Sequence, residues 1–187
     1  SSLALPLALH AICPKHEIPA RIESLLTRVG LKPEHARRYP HELSGGQLQR
    51  VAIARAISVE PRVIVADEAV SKLDVSVRAQ VLNLLKRMNR ETGVAIVFIT
   101  HDLGVARFLC DRIAVMYFGR VVEVGATETI FAEPRHPYTL SLLRARAHDG
   151  APAASDADGS GVEIADSARA CNYAPRCARR QPRCLAE

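Results

Sequence analysis

The sequence predicts an α/β fold in which an incomplete parallel sheet is flanked by helices. Two uninterrupted apolar, β-branched runs, Arg62 to Ala66 and Val94 to Ile99, predict strands buried on both faces. Between them, apolar side chains at helical spacing predict a long helix over Val75 to Glu91, which Gly93 ends. A helix joining two such strands indicates a right-handed parallel crossover. The 187 residues, 48% hydrophobic and 24% charged, are typical of a soluble globular protein.

Short helices are predicted before the first strand. Apolar positions at helical intervals predict a helix from Ile18 to Gly30, and a second one covers Pro33 to Arg38. Ser44 is placed to act as the N-cap of a third helix, from Gln47 to Ser58. The expected apolar side of this third helix consists of Leu48, Val51, Ala52 and Ala54.

The rest of the chain reads as a helix, a hairpin, two helices, a linker and a tail. A helix is predicted over Leu103 to Cys110, followed by a hairpin of two strands, Arg112 to Tyr117 and Arg120 to Val124, that turns at Phe118-Gly119. Two helices follow, Thr127 to Ala132 and Pro137 to Ala147. A flexible linker then covers Asp149 to Ser160, and a basic cysteine-bearing tail covers Arg169 to Arg183. We therefore expect a helical part over residues 1–58, a core over 59–147, a linker over 148–168 and a tail over 169–187.

Composition excludes several classes of function. The net charge of +5 comes without a lysine-rich tract or interleaved aromatic residues, which argues against nucleic-acid binding. No apolar stretch reaches the roughly 20 residues that span a bilayer. The apolar start, Leu3 to Leu9, lacks a basic leader and a cleavage site, so we interpret it as a packing segment. Five widely spaced cysteines favour a reducing, cytosolic setting over a disulfide framework.

Two motifs carry the chemistry. Leu43-Ser44-Gly45-Gly46-Gln47 places small residues and bare amides at a helix start, which suits contact with phosphate oxygens. Asp67-Glu68 follows the first buried strand, and adjacent carboxylates there suit a magnesium site beside a water-activating base. Taken alone, the acidic pair could equally well solvate a turn.

Together with Ser71-Lys72-Leu73-Asp74 and His101-Asp102, these motifs resemble the ATP-binding subunits of ABC transporters. The resemblance implies a P-loop NTPase-like ATPase fold with a helical subdomain at its N-terminus and a small C-terminal tail. It also implies ATP and Mg²⁺ as ligands, with Asp67 binding the magnesium through water and Glu68 polarising the attacking water. His101 would hydrogen-bond the terminal phosphate; the alternative is a structural histidine at a strand end.

The same resemblance implies a head-to-tail dimer with a second ABC ATPase subunit. In that arrangement the signature segment, Leu43 to Gln47, closes over ATP held by the partner. The D-loop, with Ser71 and Asp74, would cross the dimer interface, although Asp74 also precedes a helix and could cap it. Ala69 and Lys72 depart from the commonest pattern, in which Pro and Ala stand there.

The end of the sequence narrows the subclass. His136-Pro137-Tyr138-Thr139, followed by Cys171, Cys177 and Cys184, resembles the tail of peptide and nickel importer ATPases. In some relatives the tail cysteines hold an iron–sulfur cluster, which suggests a [4Fe–4S] cluster here. A cluster normally takes four thiolates, and the fourth would lie beyond Glu187. Reduced thiols in a flexible tail are an equal alternative, and zinc a weaker one because no CxxC pair is present.

We therefore predict the ATP-hydrolysing subunit of a bacterial peptide-type ABC importer, peripheral at the cytoplasmic face of the inner membrane. Its partners would be transmembrane permease subunits and, indirectly, an extracytoplasmic substrate-binding protein. No GxxxxGK[ST] phosphate loop is present, so the chain alone is expected to bind ATP weakly, to be inactive and to expose sheet edges. The alternatives are a non-catalytic module that lends its signature face to a complete partner, and a soluble ABC protein of DNA repair or translation.

Overall fold

The computed structural model describes residues 2–147 and 170–186. It divides into two compact units, Ser1–Val105 and Ala106–Glu187, with the division inside the fifth helix. The helices are α1 (Ala4–Leu9), α2 (Ile18–Arg28), α3 (Gly45–Ile57), α4 (Val75–Thr92), α5 (Leu103–Leu109), α6 (Thr127–Ala132), α7 (Pro137–Ala147) and α8 (Arg183–Ala186). The strands are β1 (Val63–Asp67), β2 (Ala95–Ile99), β3 (Arg112–Tyr117) and β4 (Arg120–Ala126). Short 3₁₀ turns cover Lys15–Glu17, Pro33–Arg37, Pro40–Glu42 and Ala174–Arg176.

Helix α2 organises the helical part of the first unit. Its apolar side is buried and consists of Ile22, Leu25, Leu26 and the following Val29. Helices α1 and α3 both contact it. Gly30 adopts a φ of +74°, where a residue with a Cβ would be strained, and this ends the helix as expected.

Helix α3 begins two residues earlier than predicted, directly after Ser44. Its buried residues are Ile53, Ala54 and Ile57, so the predicted apolar side is wrong except at Ala54. Leu48 remains 39% exposed. The reason is that α3 contacts both α2 and α4, and those two neighbours, which single-helix periodicity does not reveal, select the face that is buried.

Strands β1 and β2 pair in parallel, which confirms the predicted strand–helix–strand unit. Their register pairs Val63 with Ala95 and Asp67 with Ile99. The prediction that β1 is buried on both faces is wrong, because its residues alternate between exposed and buried. Val65 is 66% exposed and Val97 of β2 is 51% exposed. Within the described residues, therefore, only one face of this two-stranded sheet is covered.

In the second unit, β3 and β4 form an antiparallel hairpin that turns at Phe118 and Gly119, both with positive φ. The core beneath it consists of Ala106, Ile113, Val115 and Ile130. Strand β4 extends two residues beyond the predicted end. The predicted linker falls wholly within residues 148–169, which lie outside the described residues, and the four-part division of the chain stays a prediction.

The described part of the tail packs within the second unit. The ring of Tyr173 lies 5.1 Å from that of Tyr117 and 5.5 Å from that of Tyr138, measured between centroids. Asn172 donates a side-chain hydrogen bond to the carbonyl oxygen of Phe118, and Ala174 is buried. The tail thus contributes apolar side chains to this unit, which its small size and basic composition did not suggest.

Candidate active site

Glu68 and His101 lie together at the carboxyl ends of the two parallel strands. Nδ1 of His101 is 3.0 Å from Oε1 of Glu68, within hydrogen-bond distance. Parallel pairing produces this proximity, since each residue comes just after its strand. Both side chains are largely exposed, His101 by 74% and Glu68 by 53%. The resemblance assigned both residues to one site, and the structure brings them together across 33 positions of sequence.

The backbone of Glu68 is fixed from both sides. Its φ of +44° is unusual for a residue with a side chain. Its N–H donates to the carbonyl oxygen of Ile99 at 3.0 Å. Its own carbonyl oxygen accepts from both the N–H and the hydroxyl of Ser71, at 3.1 and 3.0 Å. Ser71, predicted as a D-loop residue, therefore helps to set the conformation from which the Glu68 side chain projects.

Asp67 ends β1 and lies on the exposed face of that strand, with Val63 and Val65. Carboxylate oxygens are the ligands that Mg²⁺ prefers, and an exposed strand-end carboxylate leaves room for the waters that Mg²⁺ retains. Asp67 therefore fits the predicted role in magnesium binding. Within the described ranges no three His, Cys, Asp or Glu side chains are close enough together to bind a metal directly.

The signature segment forms a capped helix start. Ser44 Oγ accepts the N–H of Gln47 at 3.3 Å, and the Gln47 side chain accepts the N–H of Ser44 at 2.9 Å. This reciprocal capping box leaves the amides of Gly45 and Gly46 at the first positions of α3, where the helix provides no acceptor. Of the five segment residues, Leu43, Gly46 and Gln47 are partly buried and the other two are exposed.

The glycines of the signature segment lie against the D-loop and α4. A Cβ built on Gly45 would be 3.6 Å from Cδ2 of Leu73, an ordinary contact. A Cβ on Gly46 would clash with Cγ1 of Val77. Asp74 occupies the N-cap position of α4 without a side-chain cap hydrogen bond, so the capping alternative for this residue is wrong. Its side chain is exposed.

The motifs did not identify a polar link between the D-loop and the loop after β2. Arg78 Nη1 donates to Asp102 Oδ2, and Nη2 donates to the carbonyl oxygen of Leu73, both at 3.3 Å. Asp102 also accepts the N–H groups of Gly104 and Val105 through Oδ1. The available sequence signal was weak: an acidic residue directly before a predicted helix, and an arginine on the first turn of another helix.

Within the described residues, nothing supports the iron–sulfur cluster predicted at the tail cysteines. The N–H of Cys171 donates to the carbonyl oxygen of Cys184 at 2.9 Å, so two of the three backbones meet. All three cysteines, including Cys177, are free thiols of intermediate exposure. No metal-binding group of three side chains occurs among residues 2–147 and 170–186.

The His136-Pro137-Tyr138-Thr139 motif begins α7, and Glu123 of β4 holds that start. The Glu123 carboxylate accepts the N–H groups of Arg135 and His136, at 2.8 and 3.0 Å. Burial raises the pKa of Glu123, but the nearby Thr139 hydroxyl and the hydrogen bonds from the two amides outweigh it, and the pKa is lowered. Burial lowers the pKa of His136, against the opposing charge of Glu123. The motif is thus part of the packing of the second unit.

These features are those expected of an ABC-type ATPase, and comparison with known proteins supports that class. The model of the ABC transporter family matches residues 7–71, and that of the oligopeptide/dipeptide transporter C-terminal region matches residues 122–184. The chain belongs to the ATP-binding subunits of ABC transporters, in the oligopeptide/dipeptide group. The α/β fold with a P-loop NTPase-like sheet is thereby confirmed. Along residues 2–147 and 170–186, no helix has the length and apolarity of a membrane span.

Among individual relatives, the chain is 53% identical over 144 residues to the glutathione import ATP-binding protein GsiA of Pectobacterium atrosepticum, and equally identical to GsiA of Escherichia coli K12. Each alignment covers 77% of this chain but 23% of the relative, so the chain spans about a quarter of their length. Among solved structures, cbiO1 of Clostridium perfringens, part of the transporter complex cbiONQ, matches with 34% identity and a TM-score of 0.57 over 73% of this chain and 52% of its own. The ATP-binding cassette MJ0796, in a dimer bound to ADP and Pi, matches with 37% identity and a TM-score of 0.54. The match covers 62% of this chain and 49% of the MJ0796 chain.

Proposed function

We propose that this chain is the part of a bacterial peptide-type ABC importer ATPase that carries the signature segment and the catalytic carboxylate. The hydrogen bond between Glu68 and His101, at the carboxyl ends of two parallel strands, is the observation that carries the proposal. It pairs a carboxylate able to accept a proton from water with an imidazole able to orient that carboxylate. The identity to ATP-binding subunits supports the same assignment.

The residues of the site divide the work of ATP hydrolysis. As an imidazolium, His101 can donate from Nδ1 to Glu68 Oε1 and from Nε2 to an oxygen of the terminal phosphate. Glu68 then accepts through its other oxygen from the attacking water and orients it. Asp67 would hold Mg²⁺ through water, and the bound ion would neutralise part of the phosphate charge. His101 thus connects the base to the phosphate.

The signature segment acts on ATP held by a second ABC ATPase subunit. Ser44 Oγ uses a lone pair to accept the N–H of Gln47, so its own hydrogen can be donated outward to a phosphate oxygen. The amides of Gly45 and Gly46 and the positive end of the helix dipole favour the same anion. A solved relative is described as a dimer bound to ADP and Pi, which supports a dimer here, and the head-to-tail pairing of the two subunits is part of the proposal.

The importer subclass is supported by the tail. The oligopeptide/dipeptide region matches residues 122–184, and the GsiA proteins are described as glutathione import ATP-binding proteins. Both observations favour uptake of peptide-like substrates over DNA repair or translation. The chain would then work with transmembrane permease subunits at the cytoplasmic face of the inner membrane, supplied by an extracytoplasmic substrate-binding protein. Co-purification with a transmembrane partner tests this assignment.

The catalytic assignment is tested in the complete protein that carries this chain. We expect Glu68→Gln to lower the rate of ATP hydrolysis by about 100-fold or more while ATP binding is retained, because the amide cannot accept the proton of water. Glu91→Gln is the matched control, since Glu91 lies on α4 and pairs only loosely with Arg87, at 3.8 Å. Full hydrolysis by Glu68→Gln, or an equal loss in Glu91→Gln, would refute the role of Glu68.

A further inference from the structure

We infer that Arg78 is a positioning residue that links the D-loop to the loop carrying His101, an inference that rests on the proposed function. The side chain starts on the first turn of α4, where the Arg78 N–H donates to the carbonyl oxygen of Asp74 at 2.8 Å. Its guanidinium then reaches two different segments. One N–H group contacts the Leu73 carbonyl oxygen in the D-loop, and another contacts the Asp102 carboxylate, both at 3.3 Å.

Through Asp102, the contact with Arg78 restrains the loop that carries His101. Its Oδ1 accepts the N–H groups of Gly104 and Val105, at 2.7 and 3.3 Å, and so caps α5. Its Oδ2 is the atom that Arg78 contacts. Its backbone N–H donates to the hydroxyl of Thr100 at 3.0 Å. The loop is therefore fixed on both sides of His101, and Arg78 supplies a bond to it from outside the loop, in addition to the contact between His101 and Glu68.

The planar shape of the guanidinium explains why arginine suits this position. A planar guanidinium can donate to a carbonyl oxygen and to a carboxylate at the same time, whereas a lysine ammonium reaches one of them well. Both partners are about one-third exposed, Arg78 by 29% and Asp102 by 38%. Solvent-screened ion pairs contribute little to global stability. The contact is consequently better suited to holding the loop in one arrangement than to holding the fold together.

Loss of the link should affect hydrolysis more than binding. With Arg78 removed, Asp102 Oδ2 loses its partner, and the His101 loop is less restrained relative to the segment from Glu68 to Asp74. The 3.0 Å contact between His101 and Glu68 is then less often formed. Misplacement of a catalytic group lowers the rate of the chemical step. ATP binding, which depends mainly on the phosphate loop, should be unaffected.

The test uses the complete protein with its partner subunits. We expect Arg78→Gln to lower kcat for ATP hydrolysis by roughly 10- to 100-fold with KM for ATP within about twofold of the wild type, and Arg78→Lys to fall in between. Asp102→Asn keeps a side-chain oxygen for the α5 cap but loses the anionic partner, so it should reproduce the loss, and the double variant should be no worse than either. Arg87→Gln, on the same helix, should leave kcat unchanged.

The outcomes separate this inference from the proposed function. If Glu68→Gln abolishes hydrolysis while Arg78→Gln keeps wild-type kcat, the link is refuted and the catalytic assignment stands. Additive losses in the double variant, or a loss in Arg78→Gln that merely follows a lower melting temperature, also refute the link. If the wild type shows no hydrolysis that depends on Glu68, the proposed function fails and this inference fails with it.

Discussion

Replacement of Gly46 by alanine tests how the signature segment is packed. Gly46 is the second residue of α3, and a Cβ there would come closer to Cγ1 of Val77 than non-bonded carbon atoms approach. Val77 is β-branched and lies on α4, where one χ1 rotamer is strongly preferred, so its side chain cannot turn away without cost. The two helices must therefore separate locally by roughly an ångström to restore the ~3.5–4.0 Å spacing of carbon atoms in contact.

The expected cost follows from two opposing contributions. Overpacking of a well-packed contact typically costs about 1–3 kcal/mol. Alanine regains up to about 1 kcal/mol over glycine through its higher helix propensity. We expect Gly46→Ala to lower the free energy of unfolding of the first unit by about 1–2 kcal/mol. With a urea m-value of about 2 kcal/mol/M, the unfolding midpoint falls by about 0.5–1 M.

Gly45 provides a matched control one residue away. A Cβ on Gly45 would lie 3.6 Å from Leu73 Cδ2, an ordinary contact, so Gly45→Ala should be neutral or slightly stabilising. Urea unfolding followed by far-UV circular dichroism gives the midpoints, and hydrogen exchange of peptides from α3 and α4 assigns the change to this contact. Val77→Ala should reduce the effect of Gly46→Ala. A Gly46→Ala midpoint equal to or above that of Gly45→Ala would refute the packing argument.

Three further predictions concern nucleotide binding, the exposed sheet face and pH. The 187-residue chain should show no micromolar affinity for ATP by calorimetry, since it contains no GxxxxGK[ST] loop; such an affinity would overturn this. Val65→Thr with Val97→Thr should raise the monomer fraction in size-exclusion chromatography, whereas Val75→Thr, 81% exposed on a helix, should not. The lowered pKa values of His136 and Glu123 mean that protonation favours the unfolded chain, so the second unit should lose stability as pH falls below 6.5, the ordinary value for His, and further below 4.5, that for Glu. Urea unfolding followed by tyrosine fluorescence measures this loss, and Glu123→Gln should remove its lower-pH part.

The sequence predicted well those elements whose ends are determined locally. Helices α6 and α7 have the predicted bounds. Gly93 ends α4 with a φ of +69°, which glycine adopts without strain. Ser44 caps α3 through bonds to a residue three positions away. Each of these helix ends depends only on residues within one helical turn, so it can be recognised from a single sequence.

The faces that are buried could not be predicted in the same way. The continuous apolar run of β1 indicated a strand covered on both sides, yet Val63 and Val65 are more than half exposed. Which side is covered depends on other elements of the fold, and the apolar residues of a strand do not by themselves indicate which of its faces those elements contact. The same reason explains Leu48 on α3. It also explains the Arg78–Asp102 contact, which joins residues 24 positions apart without a sequence pattern.

The conformation of Glu68 links the fold to the proposed chemistry. A residue with a side chain at a φ of +44° is strained by about 1 kcal/mol or more, and it persists only where the surroundings determine it. Here the N–H of Glu68 is bonded to Ile99 of β2 and its carbonyl oxygen to Ser71 of the D-loop. The strand pairing that creates the sheet and the loop that begins α4 therefore fix one backbone together. Because that backbone directs the carboxylate toward His101, a change at Ser71 should disturb the base even though Ser71 itself contacts only the backbone of Glu68.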